Sequence, residues 1–309
     1  MIKLFHEVIM FDPLFLGVPF HAGQPRKGVS LAPDMFRSVN ADVFTQMSWQ
    51  DLGDVSAPAY SGRSAAIDHA RELSNTIAGL DLSERQLFLM GGDHGQGLGS
   101  VHGLLHHYPN MIVIWIDAHA DVNVPSSSPT GNMHGMPLSW LLGAQEGKPW
   151  WVNKTIRPQQ LLYIGVRDID PYERMLLEEL DIAWITPEEV HGPTFKHILN
   201  RELSRMDPHK KCPVHLSFDV DAIDSNLIEA TGTRVPGGIH PTHIEQVFSW
   251  VGSDRRVVSS EIVEINPELG DKLEAIELCR WSRELFQSVI PTVVHKKPTW
   301  PAMFRVFHP

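Results

Sequence analysis

Seven apolar stretches recur along the chain, at 14–20, 86–90, 111–116, 161–166, 182–185, 214–218 and 257–265, and each ends in a polar or glycine-rich turn. They alternate poorly between apolar and polar positions and are rich in Ile, Val, Leu and Phe, which is how strands buried on both faces read. Between them the spacing turns helical, over 64–80, 173–180 and 195–206. A last helix over 272–287 sets Leu273, Ile276, Leu278 and Leu285 among charges. Strand alternating with helix predicts an α/β chain with a mostly parallel sheet covered on both sides. The stretches 23–33 and 124–129 read as loops. No internal repeat, low-complexity tract or Gly/Pro/Ser linker divides the chain, so one domain over residues 1–309 is expected, although ~150 residues per domain would suggest two.

In such a sheet, ligands gather outside the carboxyl ends of the strands. The run 86–90 is followed by Gly91-Gly92-Asp93-His94-Gly95, the run 111–116 by Asp117-Ala118-His119-Ala120-Asp121, and the run 214–218 by Asp219-Val220-Asp221 with Asp224 close behind. On an extended backbone residues i, i+2 and i+4 share a face, so Asp117, His119 and Asp121 can converge, and so can Asp219 and Asp221. One such Asp is ordinarily a turn former or helix cap, and Ser217 and Asp224 remain open to that bland account. Three strand ends with ligand chemistry are a different matter. Carboxylates packed this closely repel and can hardly all ionise unaided, and divalent cations resolve the conflict. Mixed oxygen and imidazole ligation suits Mn²⁺, with Zn²⁺, Co²⁺ or Fe²⁺ as competitors. His94, Asp117, His119, Asp121, Asp219 and Asp221 are too many ligands for one ion with an open position; they suit two ions that activate a water between them.

Composition narrows the classes. Lys and Arg number 26 against 37 Asp and Glu, a formal charge of −11 without any compensating basic run, which argues against a nucleic-acid partner. Seventeen histidines point the same way as the motifs, toward metal. Cys212 and Cys279 are the only cysteines, so neither a disulfide scaffold nor a CxxC zinc site is available, and a reducing compartment is expected. Glu7 and Asp12-Pro13 interrupt what would be the apolar core of a signal peptide, and no apolar run approaches the ~18 residues of a membrane span. A soluble, cytoplasmic enzyme with no membrane partner is expected. Trp150-Trp151 reads as packing or interface, and His106-His107 as the cationic end of a helix-like stretch.

The three strand-end segments, GGDHG at 91–95, DAHAD at 117–121 and SFDVDAID at 217–224, resemble the metal-binding signatures of the ureohydrolase superfamily. The likeness extends over nearly the whole chain, through Gly17-Val18-Pro19, Gly23-Gln24-Pro25-Arg26, Gly28-Val29 and Ala32-Pro33 to Thr231-Gly232-Thr233, Gly237-Gly238 and Glu264-Ile265-Asn266-Pro267. It implies a three-layer α/β/α fold around a parallel sheet of about eight strands. Asn123 with the Ser/Thr-rich segment through Ser128 and Thr130, and Asp170 with Glu173, resemble the arginase branch. There they would read the α-carboxylate and the α-amino group of the substrate.

The resemblance implies hydrolysis of L-arginine to L-ornithine and urea by a hydroxide between two Mn²⁺ ions. One ion would take His94, Asp117, Asp121 and Asp219, the other His119, Asp117, Asp219 and Asp221. Asp121 would pass a proton to the leaving nitrogen, Glu264 would anchor the guanidinium, His134 would shuttle protons, and Thr233 would position substrate or a hydroxyl. The alternatives are a hydrolase of another guanidino or formimino compound (agmatine, guanidinobutyrate, formiminoglutamate) and a non-catalytic arginine-binding relative. The sequence departs from the family pattern at Gly95, where Ser is usual, and at Ser225, where Pro is usual and its loss is expected to loosen the loop behind Asp221. It departs again at Thr242-His243, where a charged pair ties trimers in animal arginases, so a homo-oligomer, trimer or hexamer, is left open.

Overall fold

A computed structural model of the chain describes residues 12–60 and 62–290. The N-terminal reading around Glu7 and the far end of the expected 1–309 domain lie outside these residues. Within them one eight-stranded, all-parallel sheet runs through β1 (Asp12–Val18), β2 (Gln50–Asp54), β3 (Arg85–Gly91), β4 (Ile112–Ile116), β5 (Leu161–Ile164), β6 (Ala183–Ile185), β7 (Val214–Asp219) and β8 (Val257–Val263). Their spatial order is β2-β1-β3-β8-β7-β4-β5-β6. The helices are α1 (Ala32–Val39), α2 (Ala41–Thr45), α3 (Arg63–Ala78), α4 (Gly97–Leu104) and α5 (Pro137–Leu141), then α6 (Pro171–Glu179), α7 (Pro187–His191), α8 (Phe195–Met206), α9 (Pro241–Asp254) and α10 (Lys272–Ser288).

The seven apolar runs are all strands, with ends displaced by up to a few residues. The eighth strand, β2, was not read because Gln50-Asp51-Leu52-Gly53-Asp54 is polar and half exposed. It sits at the sheet edge and bonds only β1, so it needs no apolar face. The four predicted helices appear as α3, α6, α8 and α10. Two corrections concern helices. The stretch 23–33 is not loop throughout: a 3-10 turn, Val29–Leu31, leads into α1. And α9 carries buried Ile244, Val247, Phe248 and Val251 at helical spacing behind Pro241, a signal present in the sequence but not used.

Alternation along each strand builds two cores. Ile112, Ile114 and Ile116 of β4 pack with Phe195 of α8, Ile244 of α9 and Leu278 of α10; Val113 and Trp115 face the other way, with Ala70 and Leu73 of α3, Leu98 of α4 and Trp140 of α5. Helices therefore cover both faces, the three-layer arrangement expected. The glycine-rich α4 is a helix because α3 lies almost against it. A Cβ on Gly99 would come within 2.3 Å of the Ala70 carbonyl oxygen, and one on Gly103 within 2.8 Å of Ile77 Cβ.

The order of strands sets the site. Consecutive β3 and β4 are separated by β8 and β7, so the chain crosses the sheet between them and opens a crevice at the carboxyl ends of these four neighbours.

Two stability tests follow. Gly99→Ala forces α3 and α4 apart and should destabilise by about 1–3 kcal/mol in denaturant unfolding, whereas a change within experimental error would mean the helices are not in contact. The second test is pH. His102 Nδ1 lies 2.7 Å from Ser74 Oγ, and its Nε2 lies 3.2 Å from Asn153 Oδ1 and 3.3 Å from Asn153 N. Burial pushes the pKa of His102 down to about 4, and burial together with the nearby His21 does the same to His69. The unfolded chain takes these protons near 6.5 and the folded one only near 4, so this stability is complete above pH 6.5 and is lost as pH falls. At pH 5 each group accounts for roughly 2 kcal/mol. Urea unfolding at pH 7 and pH 5 should show the loss, and His102→Gln should reduce it; an undiminished loss in that variant would place the titration elsewhere.

Candidate metal centre

His94 opens a 3-10 turn directly after β3, with Asp93 as its cap: Asp93 Oδ1 accepts from Gly95 N at 3.0 Å and Oδ2 from Gly23 N at 2.9 Å. A Cβ on Gly95 would meet Asp93 Oδ1 at 2.8 Å and Phe20 at 3.1 Å, so this departure from Ser matches a close approach. Asp117 and His119 leave β4, and Asp219 and Asp221 leave β7. Asp121 and Glu264 both take left-handed backbone, at φ of 55° and 64°, which costs energy in a residue with a Cβ; Asp121 reaches the cluster, and Glu264 lies against His94 N.

The two imidazoles both present Nδ1 to carboxylates. His94 Nδ1 lies 2.8 Å from Asp117 Oδ2, 3.3 Å from Asp219 Oδ2 and 3.4 Å from Asp121 Oδ2. His119 Nδ1 lies 3.1 Å from Asp221 Oδ2 and 3.4 Å from Asp117 Oδ1. Ligand atoms of His94, Asp117 and Asp121 fall within 4.8 Å of one another, as do those of Asp117, His119 and Asp221. The groups share Asp117.

Electrostatics makes this cluster unstable on its own. Burial and the charge of Asp117 push the Asp121 carboxyl well up, and burial with Asp221 and Asp117 does the same to Asp219. Burial also raises Asp221, with Asp117 adding to it and His119 opposing. Burial works against the Asp117 charge too, yet its bonds to His119 and His94 hold it below the ordinary carboxylate range. Burial would strip the proton from both imidazoles; instead Asp117 and Asp219 raise His94, and Asp221 and Asp117 raise His119, well above the usual value. Charge balance is kept only by retained protons. Nitrogen and oxygen donors in two groups with a shared carboxylate fit a pair of divalent cations, which would replace those protons.

The surroundings aim the donors. His94 stacks on Trp115 with centroids 3.8 Å apart and planes at 3°, and the Trp115 indole donates to Asp117 Oδ2 at 3.0 Å. His94 Nε2 meets Ser217 Oγ at 2.8 Å, and Ser217 donates to Glu261 Oε1 at 2.8 Å across the β7–β8 pairing. Glu261 is fully buried but takes bonds from Gln96, Ser100 and His215; burial works to raise it, and His215 outweighs that and brings it down to about 2. This support behind His94 was not foreseen, and Ser217 is part of it rather than a bland turn residue. Asp224, by contrast, caps a turn by accepting from Asn226 N and Gly238 N. Behind Asp221, where Ser225 stands, Arg167 donates to the carbonyls of Asp221, Ala222 and Ile223.

The expected substrate residues divide into two groups. A cavity of about 260 Å³ over the cluster is lined by His94, His119, Asp121 and Asp219 on one side, and by Asn123, Ser128, Thr130, His134, Asp170, Glu173 and Thr233 around it. Asn123 Nδ2 donates to Asp170 Oδ2 at 2.8 Å. Glu173 accepts from Val122 N and Asp170 N, joining the two recognition segments; burial lifts it to about 7 against the pull of these bonds. Thr233 Oγ1 donates to Asp221 Oδ2 at 2.8 Å. Glu264 stands apart: it accepts from His94 N at 3.0 Å and lies 3.4 Å from His134 Nδ1, but does not line the cavity among the described residues. Burial would lower His134, and Glu264, helped by Asp93, raises it instead.

A sequence profile of the Arginase family matches residues 11–285. The chain belongs to the arginase family. Arginase from Schizosaccharomyces pombe is 34% identical over 294 residues, covering 90% of each chain. This arginase-family chain superimposes on arginase from Bacillus subtilis with a TM-score of 0.81 at 28% identity, covering 92% of this chain and 99% of that one. Arginase from Entamoeba histolytica, solved in complex with L-ornithine, gives a TM-score of 0.80 at 29% identity, covering 91% and 99%.

Titrating this arginase-family chain with Mn²⁺ should bind about two ions and release protons at pH 7, read by calorimetry in buffers of different ionisation heat. Asp219→Ala should bind fewer than two. Saturation at one ion in the unaltered chain, or none, would refute a paired centre.

Proposed function

We propose that the chain hydrolyses L-arginine to L-ornithine and urea with two Mn²⁺ ions, for which Co²⁺, Zn²⁺ or Fe²⁺ can substitute, in one arginase-like domain. The observation that carries this reading is the single cavity that sets the His/Asp cluster against Asn123, Ser128, Thr130 and Asp170. One ion is assigned to His94, Asp117, Asp121 and Asp219, the other to His119, Asp117, Asp219 and Asp221. When bound, they supply Lewis acidity and make water nucleophilic near neutral pH.

The remaining work falls to the protein. Glu264 holds the guanidinium by a charge-assisted pair. Asp121, whose carboxyl is pushed well up by burial and the charge of Asp117, takes up a proton and returns it to the leaving nitrogen. His134, with its proton affinity raised through Glu264, passes protons to solvent. At the other end, the Ser128 and Thr130 hydroxyls accept from Gly131 N and Asn132 N, which leaves hydroxyl protons to donate to an α-carboxylate. Asn123 keeps one amide hydrogen beyond the one given to Asp170, and the Asp170 carboxylate, which also caps α6, is the acceptor for an α-ammonium. Thr233 steadies Asp221.

The family membership and the arginases among the relatives support arginine over other guanidino or formimino compounds. Two free cysteines support a cytoplasmic setting, and the formal charge of −11 agrees with a small-molecule substrate rather than nucleic acid. No described helix is long and apolar enough to cross a membrane. The family resemblance also supports a homo-oligomer, trimer or hexamer, which sedimentation would measure.

The decisive assay is urea release by Mn²⁺-loaded protein, with arginine, agmatine and guanidinobutyrate as substrates, and formiminoglutamate followed by its own product. Arginine should be turned over best. Thr130→Ala should lower kcat/KM for arginine about 10–100-fold, the worth of one charge-assisted bond, and hardly move agmatine. Equal losses on both would mean the loop supports the metal centre instead of reading a carboxylate.

A further inference from the structure

Glu264 is the proposed guanidinium anchor, yet it is only 1% exposed and does not line the cavity. Gln24 Nε2 lies 2.9 Å from Glu264 Oε1 and 2.8 Å from Oε2. A carboxylate only accepts, so the amide nitrogen must face it and the amide's orientation is settled by chemistry. Near-equal distances set one NH₂ group astride the edge between the two oxygens. That edge is where a guanidinium makes its paired N–H bonds. Oε1 has His94 N and His134 Nδ1 besides, whereas Oε2 accepts from Gln24 alone among the described residues.

The backbone on either side of Gln24 is held. Asp93 accepts from Gly23 N, His134 N donates to Gly23 O at 3.2 Å, Arg26 donates to Gly232 O, and Asn266 Nδ2 donates to Lys27 O at 2.8 Å. Only the half-buried Gln24 side chain is left to move.

We propose that Gln24 is a specificity residue, a displaceable side chain that covers the bidentate edge of Glu264 in the free protein and yields it to a planar cation with parallel N–H donors. The exchange favours a guanidinium, which brings two donors and a positive charge to a buried carboxylate where the amide brings donors alone. Urea is itself a neutral amide, so after hydrolysis Gln24 competes with the product on equal terms and reclaims Glu264. A singly placed ammonium cannot match the edge and is disfavoured by the same geometry.

The inference rests on the arginine-hydrolase reading for the identity of the cation, but its test separates the two. Gln24→Met keeps the length of the side chain and removes the donor; Gln24→Ala removes the whole obstruction. Methylguanidinium binding to the Mn²⁺-loaded protein, measured by calorimetry, should tighten three- to tenfold in both variants, and KM for arginine should fall in parallel. Unchanged or weaker binding in the folded variants would overturn the proposal and make Gln24 a fixed support of Glu264. Should the unaltered protein release no urea from arginine, the functional reading fails, while the methylguanidinium affinities still decide the role of Gln24.

Discussion

Repulsion among buried carboxylates is the constraint on which the rest of the structure depends. Asp117, Asp121, Asp219 and Asp221 all leave the ends of neighbouring strands and are nearly or fully buried. No protein interior tolerates four such charges without compensation. His94 and His119 supply part of it, and the sharing of Asp117 between two ligand groups gives the arrangement its paired character. The left-handed backbone at Asp121 and at Glu264 is strain accepted so that further carboxylates can turn inward. A fold would not gather these groups for stability alone.

Holding the cluster in place requires a second layer of polar groups, and the sheet itself carries it. On the face of β7 and β8 under His94, where an apolar core would be cheapest, stand His215, Ser217, Ser259 and Glu261, all buried. The Glu261 carboxylate is matched by His215, Gln96 and Ser100 and fixes His94 through Ser217, while His215 Nδ1 and Ser259 Oγ of the same layer make no hydrogen bond among the described residues. Trp115 does the same from the other side by stacking and by its indole bond to Asp117. Both devices sit on strands, the most rigid elements available, so the donors are aimed before any ligand arrives. The recognition side is built differently. Asn123, Ser128, Thr130 and Asp170 lie on loops, and Glu173 ties the start of α6 to the segment after Asp121 by accepting from Val122 N and Asp170 N. Chemistry at strand ends and selectivity on loops is the usual division in open α/β sheets.

Much of this was legible in the chain. Runs of Ile, Val, Leu and Phe without alternation announced strands covered on both faces, and the His and Asp residues that follow three of them announced a shared edge. Those signals are local: a strand's burial shows in its composition, and the residue after a strand is at its end whatever the topology. The edge strand β2 was hidden because a strand bonded on one side only needs no apolar pattern. The glycines of α4 obscured a helix because they answer to the nearness of α3, which no local window contains.

The sequence by itself determined the element types, the buried faces and the inventory of ligands, since periodicity and residue chemistry are written into short segments. Only the tertiary structure decided the neighbours. The strand order puts β8 and β7 between β3 and β4, and thereby brings Glu264 beside His94 across 170 residues of chain. It makes Ser217 a partner of Glu261, turns Asp224 away to cap a loop, and lays Gln24 over Glu264 across 240 residues. These contacts are pairings between segments distant in sequence. Their geometry follows from how the whole sheet closes, and no residue carries that information alone.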